Sequence, residues 1–205
     1  MNPKRFFLPL IAALALTACS DEAPQSEKYT TLKAPVTVEN LPAVTEVFSL
    51  SCGHCRSMEA AIPAIEDAAG VKIGKAHVTF NESATFAAMI YYSAMSQVDG
   101  MPPAGLTEAL FKFVQEDQSE DADKNRAILS ALFAQYNLIS PFDMTETQQE
   151  ALFADMERAD QITVQAEITS VPTFMVNGKY VVNTSAHQSA EELADTLKML
   201  MAKDQ

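Results

Sequence analysis

The sequence predicts an α/β fold with an all-helical insertion. Three observations predict it. A strand, a helix and a second strand succeed one another between Val44 and Phe80. From Ser83 the apolar spacing becomes helical and stays so for about eighty residues. The pattern then returns to two strands joined at Asn177-Gly178, followed by a last helix.

The chain opens on a targeting segment. Lys4 and Arg5 form a short basic region, and Phe6 to Leu16 is apolar but too short to remain as a membrane-spanning helix. Leu16-Thr17-Ala18-Cys19 resembles the lipobox of bacterial lipoproteins. That resemblance implies cleavage before Cys19, lipidation of Cys19 and a stable membrane anchor. An ordinary secretory signal cleaved near Ala18 is the alternative. Ser20 follows the cysteine and Asp21 comes one place later, which leaves the choice of inner or outer membrane open with a lean to the outer one. Residues 19–33 are polar and read as a flexible tether.

The following elements are expected in order. Val36-Thr37-Val38-Glu39 reads as a short edge strand between Pro35 and Pro42. Val44 to Leu50 is a mostly apolar run and reads as a buried central strand. Arg56 to Ala69 reads as a helix kinked at Pro63 and closed by Gly70. Val71 to Ile73 and Ala76 to Phe80 read as a strand interrupted at Gly74, parallel to the first across the helix. In the insertion, residues 83–165, Phe86, Met89, Ile90 and Met95 mark one helix, and Leu106, Leu110, Phe113 and Val114 a second. Ile128, Leu129, Leu132, Phe133 and Tyr136 mark a third; Asp143 to Glu146 looks like a capping box opening a fourth, with a bend after Glu157. Ser170 to Val176 and Lys179 to Val182 form a hairpin, and Ala190 to Ala202 is the final helix. One α/β domain is thus expected from residues 34–82 and 166–205 together.

Composition narrows the function. The 205 residues hold 14 Lys+Arg against 27 Asp+Glu, a net charge of −13. Removing residues 1–18 deletes Lys4 and Arg5, giving 12 − 27 = −15. No basic cluster is present to neutralise phosphates, so nucleic acid is not an expected partner. The six glycines make no phosphate loop.

The chemistry centres on Cys52-Gly53-His54-Cys55, between the central strand and its helix. A helix N-terminus offers free backbone N–H groups and partial positive charge, and both favour a thiolate. Cys52 is therefore expected to be the nucleophile. Cys55, one turn on, is placed to resolve a mixed disulfide at Cys52. His54 can add positive charge beside the thiolate. Zinc, a structural disulfide and a metal chaperone are the competing interpretations. A zinc site needs a second ligand pair, yet the remaining candidates are Cys19, His77 and His187 without paired spacing. A bridge over two residues constrains the unfolded chain little. The expectation is no metal and no cofactor beyond a redox-active Cys52–Cys55 disulfide.

The element order with Cys-Gly-His-Cys resembles the thioredoxin superfamily, and more narrowly the DsbA-type thiol–disulfide oxidoreductases. The resemblance covers about Val36 to Ala202 and rests on Cys52 to Cys55, Glu46, Val171-Pro172-Thr173 and the hairpin from Phe174 to Tyr180. It implies a thioredoxin fold, a central mixed sheet flanked by helices, with the insertion as its helical domain. It also implies roles for particular residues. Cys52 would be the exposed attacking thiolate and Cys55 the buried resolving thiol. Glu46 would be a buried acid that moves the proton of Cys55. Val171, cis-Pro172 and Thr173 would form the substrate loop. A salt-bridged Glu46 and a trans Pro172 are the structural alternatives. The family dipeptide between the cysteines is Pro-His, whereas Gly53-His54 is the pair found in protein disulfide isomerases.

These residues point to a periplasmic, membrane-anchored enzyme exchanging disulfides with exported cysteine-containing proteins. As a dithiol oxidase it would be reoxidised by a DsbB-like membrane quinone reductase. As an isomerase or reductase it would be kept reduced by a DsbD-like donor. A lipid-anchored binding or chaperone module without turnover is the third possibility.

Overall fold

The computed structural model describes residues 27–203 apart from 99 and 101. The expected signal segment and lipidated Cys19 lie outside these residues. Five strands form one mixed sheet: β1 (Tyr29–Thr31), β2 (Val44–Phe48), β3 (Ile73–His77), β4 (Thr173–Val176) and β5 (Tyr180–Val182). Their order across the sheet is β1-β5-β4-β2-β3. β2 runs parallel to β3 and antiparallel to β4, so it is interior, and all five of its residues are buried. Helices cover the sheet, giving the thioredoxin fold with a helical insertion.

The edge position belongs to Tyr29–Thr31, paired antiparallel to β5, within the stretch expected to be a tether. Val36 to Glu39 forms no strand. Pro35 removes one donor, the Val36 N–H is taken by Gly178 O at 2.7 Å, and the Thr37 N–H by the Gln165 side chain at 2.8 Å.

The expected kinked helix is two helices, α1 (Gly53–Glu59) and α2 (Ile62–Ala69). Pro63 has no N–H to give Glu59, and its ring excludes that carbonyl, so the helix stops and restarts with Pro63 in its first turn. β3 passes through Gly74 without interruption, paired there with Thr45, and the position is glycine because Pro42 packs where a side chain would stand. The β4–β5 turn places Asn177 at φ 51° and Gly178 at φ 62°, both left-handed, but Val176 pairs with Tyr180, so three residues rather than the expected two join the strands. β4 starts at Thr173, three residues later than expected.

The insertion contains α3 (Glu82–Met95), α4 (Ala104–Lys112), α5 (Ala122–Gln135) and α6 (Glu146–Gln165). A π-helical turn, Phe113–Asp117, extends α4. The capping box of α6 is formed by Thr145 and Gln148, not from Asp143, and α6 continues unbroken past Glu157. The last helix is α7 (Ala190–Ala202).

Two apolar clusters hold the layers together. Val44, Ile62, Ile65, Phe174, Val176, Leu193, Leu197 and Leu200 join β2 and β4 to α2 and α7. Phe48, Leu50, Tyr91, Phe111, Phe113 and Phe133 join the C-terminal end of β2 to the inserted helices. The Met and aromatic stripes of the insertion are mostly core. Among the described residues, no helix is long and apolar enough to cross a membrane.

Candidate active site

β2 ends at Phe48, and the chain reaches Cys52 through Ser49, Leu50 and Ser51. Cys52 caps α1: its Sγ accepts the Cys55 N–H at 3.2 Å. The same Sγ lies 3.5 Å from the carbonyl of Val171, to which the thiol donates. Cys52 is partly exposed and Cys55 is buried; the two sulfurs are unbonded. Burial, then the contact with Cys52, pushes the Cys55 thiol far above its ordinary range. The pair is therefore asymmetric: one sulfur meets solvent and the other strongly resists ionisation.

Gly53 and His54 are exposed on the first turn of α1. A side chain at Gly53 would meet nothing within 4 Å. The Val171–Pro172 peptide is cis, and Thr173 donates to Ser170 O at 2.7 Å to close the loop beside Cys52. A groove of about 700 Å³ runs from His54 and Met58 to Val171, Pro172 and Thr184.

Glu46 is fully buried in β2. Its nearest ionic partner is Lys75, directly across the parallel ladder on β3. Lys75 Nζ lies 2.5 Å from both Glu46 Oε2 and Glu59 Oε2. Burial raises the Glu46 carboxyl most; Lys75 pulls it back, and the result is about 7. Burial works against the Lys75 ammonium too, but the two carboxylates outweigh it and its affinity for the proton is raised. Glu46 Oε1 is left without a hydrogen-bond partner. Glu46 is thus an acid poised near neutrality, and its charge is one of the influences that raise Cys55.

Several residues escaped the sequence analysis. Lys75 sits at the point where the strand was expected to break, and a lysine inside a buried parallel strand was the available signal. Nothing in the sequence marks Glu59, on α1, as a partner of Lys75. His77 is buried: its Nε2 accepts the Leu50 N–H at 2.8 Å and its Nδ1–H donates to Val78 O at 2.8 Å. Burial lowers His77 to about 4, so it is neutral and its tautomer is set by these bonds. Nothing in the sequence marks it apart from other core residues. Among the described residues, no three His, Cys, Asp or Glu side chains gather to hold a metal ion.

Comparison with known proteins agrees with this geometry. A family model described as Thioredoxin matches residues 31–199. The thiol:disulfide interchange protein DsbA of Pectobacterium carotovorum subsp. carotovorum is 24% identical over 220 residues, 98% of this chain and 99% of that protein. The crystal structure of Pseudomonas aeruginosa DsbA superposes with a TM-score of 0.69 at 22% identity, covering 86% of this chain and 92% of the other. DsbA from Proteus mirabilis gives 0.62 at 20% identity, covering 87% and 97%. The matched stretch contains the cysteines, the loop facing them and the helices inserted between the two halves of the sheet: the chain belongs to the thioredoxin family, as a DsbA-like thiol–disulfide oxidoreductase.

Proposed function

We propose that the protein is a dithiol oxidase that transfers a Cys52–Cys55 disulfide to exported proteins in the periplasm, anchored to a membrane through lipidated Cys19. The observation behind thiol–disulfide exchange at Cys52 is the asymmetry of the cysteines, which sets the order of the steps. A substrate thiolate attacks Cys52 Sγ, the sulfur that meets solvent, and the Cys52–Cys55 bond breaks. Cys55 leaves with the electron pair. Its burial makes the thiolate costly, so it takes up a proton, and Glu46, poised near neutrality, supplies it. A second substrate thiolate then attacks the substrate sulfur of the mixed disulfide, and Cys52 leaves as thiolate. The substrate gains a disulfide and the enzyme is left as a dithiol.

The groove beside Val171, Pro172 and Thr173 accommodates the substrate segment around its cysteine, with His54 at its rim. Renewed turnover needs an electron acceptor, which we assign to a DsbB-like membrane quinone reductase. The test is the redox equilibrium of Cys52 and Cys55 against glutathione, together with their state in intact cells. An oxidising pair that is mostly disulfide in cells supports the oxidase. A mostly dithiol pair supports the isomerase or reductase fed by a DsbD-like donor, which Gly53-His54 favours. If Cys52→Ser retains the full effect on substrate disulfides, the protein is a binding module instead.

A further inference from the structure

The helical insertion touches the redox stretch on both sides of the cysteines. Before them, Gln115 Nε2 donates to the Leu50 carbonyl at 2.8 Å. Leu50 is fully buried, and its N–H is taken by His77, so both polar ends of this residue are held by side chains. After them, Arg56 extends from α1 to the insertion. Its Nε donates to both carboxylate oxygens of Glu108 at 3.1 Å, and its Nη1 meets Glu116 at 2.6 Å. Gln115 and Glu116 are neighbours in the π-helical turn, which the buried Phe113 anchors to the core.

We propose that Gln115 is a positioning residue for the thiol pair: from the inserted helices it fixes the Leu50–Ser51 peptide, and through it the approach of Cys52 to Val171. This rests on the thiol–disulfide reading above. His77 ties the same residue to the sheet, so Leu50 is the joint at which the insertion and the sheet together set the place of Cys52. Without Gln115 the buried carbonyl loses its donor, and the loop relaxes to find another.

The probe is oxidised glutathione reacting with the reduced protein. The Cys52 thiolate attacks one glutathione sulfur and expels glutathione thiolate. Cys55 then gives up its proton and attacks Cys52 Sγ, expelling the second, which is protonated. Rates and equilibrium constants are measured from pH 4 to pH 8 for the parent, Gln115→Leu and Gln115→Glu. Gln115→Leu should react about five- to tenfold more slowly, the equivalent of one hydrogen bond. Gln115→Glu should depend on pH in a way that a merely structural role would not. Its protonated carboxyl can donate to Leu50, whereas the ionised form can only repel that carbonyl. Its rate relative to the parent should rise toward unity at pH 4, below the ordinary carboxyl value of about 4.3, and fall to the Gln115→Leu level at pH 8. A Gln115→Leu rate within twofold of the parent throughout, or a Gln115→Glu ratio independent of pH, overturns the inference. A parent that does not react with oxidised glutathione overturns the oxidoreductase reading itself.

Discussion

Replacing Glu46 with Gln should change how stability depends on pH, and the structure sets the size of the change. The folded carboxyl titrates near 7 against an ordinary value of 4.5. Between those values the folded protein holds a proton that the unfolded chain has released. The stabilisation is therefore complete below pH 4.5 and is lost as pH rises through 7. At about 1.36 kcal/mol per pH unit the loss is about 3 kcal/mol. Glu46 is fully buried, so little solvent screening reduces it. His77 works in the opposite sense. Its folded value is about 4 against 6.5, so the unfolded chain binds the extra proton, and stability is present above pH 6.5 and lost as pH falls through 4. Between pH 4.5 and 6.5 the two slopes nearly cancel, and these groups leave the parent almost level. Glu46→Gln uncovers the His77 slope. Urea unfolding of the reduced proteins at a series of pH values measures it: the stability of Glu46→Gln relative to the parent should climb by about 3 kcal/mol between pH 4.5 and pH 8. Lys75 keeps Glu59 as its partner in this variant. A difference that stays level within about 1 kcal/mol refutes the argument that burial sets the state of Glu46.

Other outcomes follow from the same geometry. Lys75→Met leaves Glu46 buried without its cation and should cost about 3 to 5 kcal/mol by urea unfolding at pH 8, and less at pH 5, where Glu46 is neutral. Cys55→Ala should accumulate mixed disulfides with substrate proteins on non-reducing gels, because the attacked sulfur remains and the resolving one is gone. Gly74→Ala would put a methyl group 2.3 Å from Pro42 Cγ and should cost about 1 to 3 kcal/mol, read as a fall in the urea midpoint. Thr145→Ala removes half of the capping box of α6 and should cost about 1 kcal/mol without altering the glutathione equilibrium.

The broad plan was legible in the sequence because periodicity reports burial directly. β2, the parallel crossover, the inserted helices and the Asn177-Gly178 turn all follow from spacing and turn chemistry. The strand at Val36–Glu39 failed because alternation over four residues cannot show whether a neighbour has backbone groups to spare; Gly178 and Gln165 had already claimed them. Tyr29–Thr31 was hidden because its pairing partner lies at the far end of the sequence. At the site, the cysteines and the loop facing them carry a local signature. Lys75, Glu59, His77 and Gln115 do not, since each acquires meaning from what it touches across the fold. Glu46 was visible as an acid among apolar residues, but its ionic partner was not.

The strand that delivers the cysteines sits between one neighbour close in sequence and another near the end of the chain: Val44 is paired with Ile73 on one side and Val176 on the other. A chain made N-terminus first completes the β2–β3 crossover early, and the entire insertion must emerge before β4 can close the other flank. Until then the reactive sulfurs rest on a half-built platform, without Val171 opposite Cys52. Long-range closure of this kind is slow compared with local pairing. Competence for thiol–disulfide exchange therefore arrives only with the last strands of the chain.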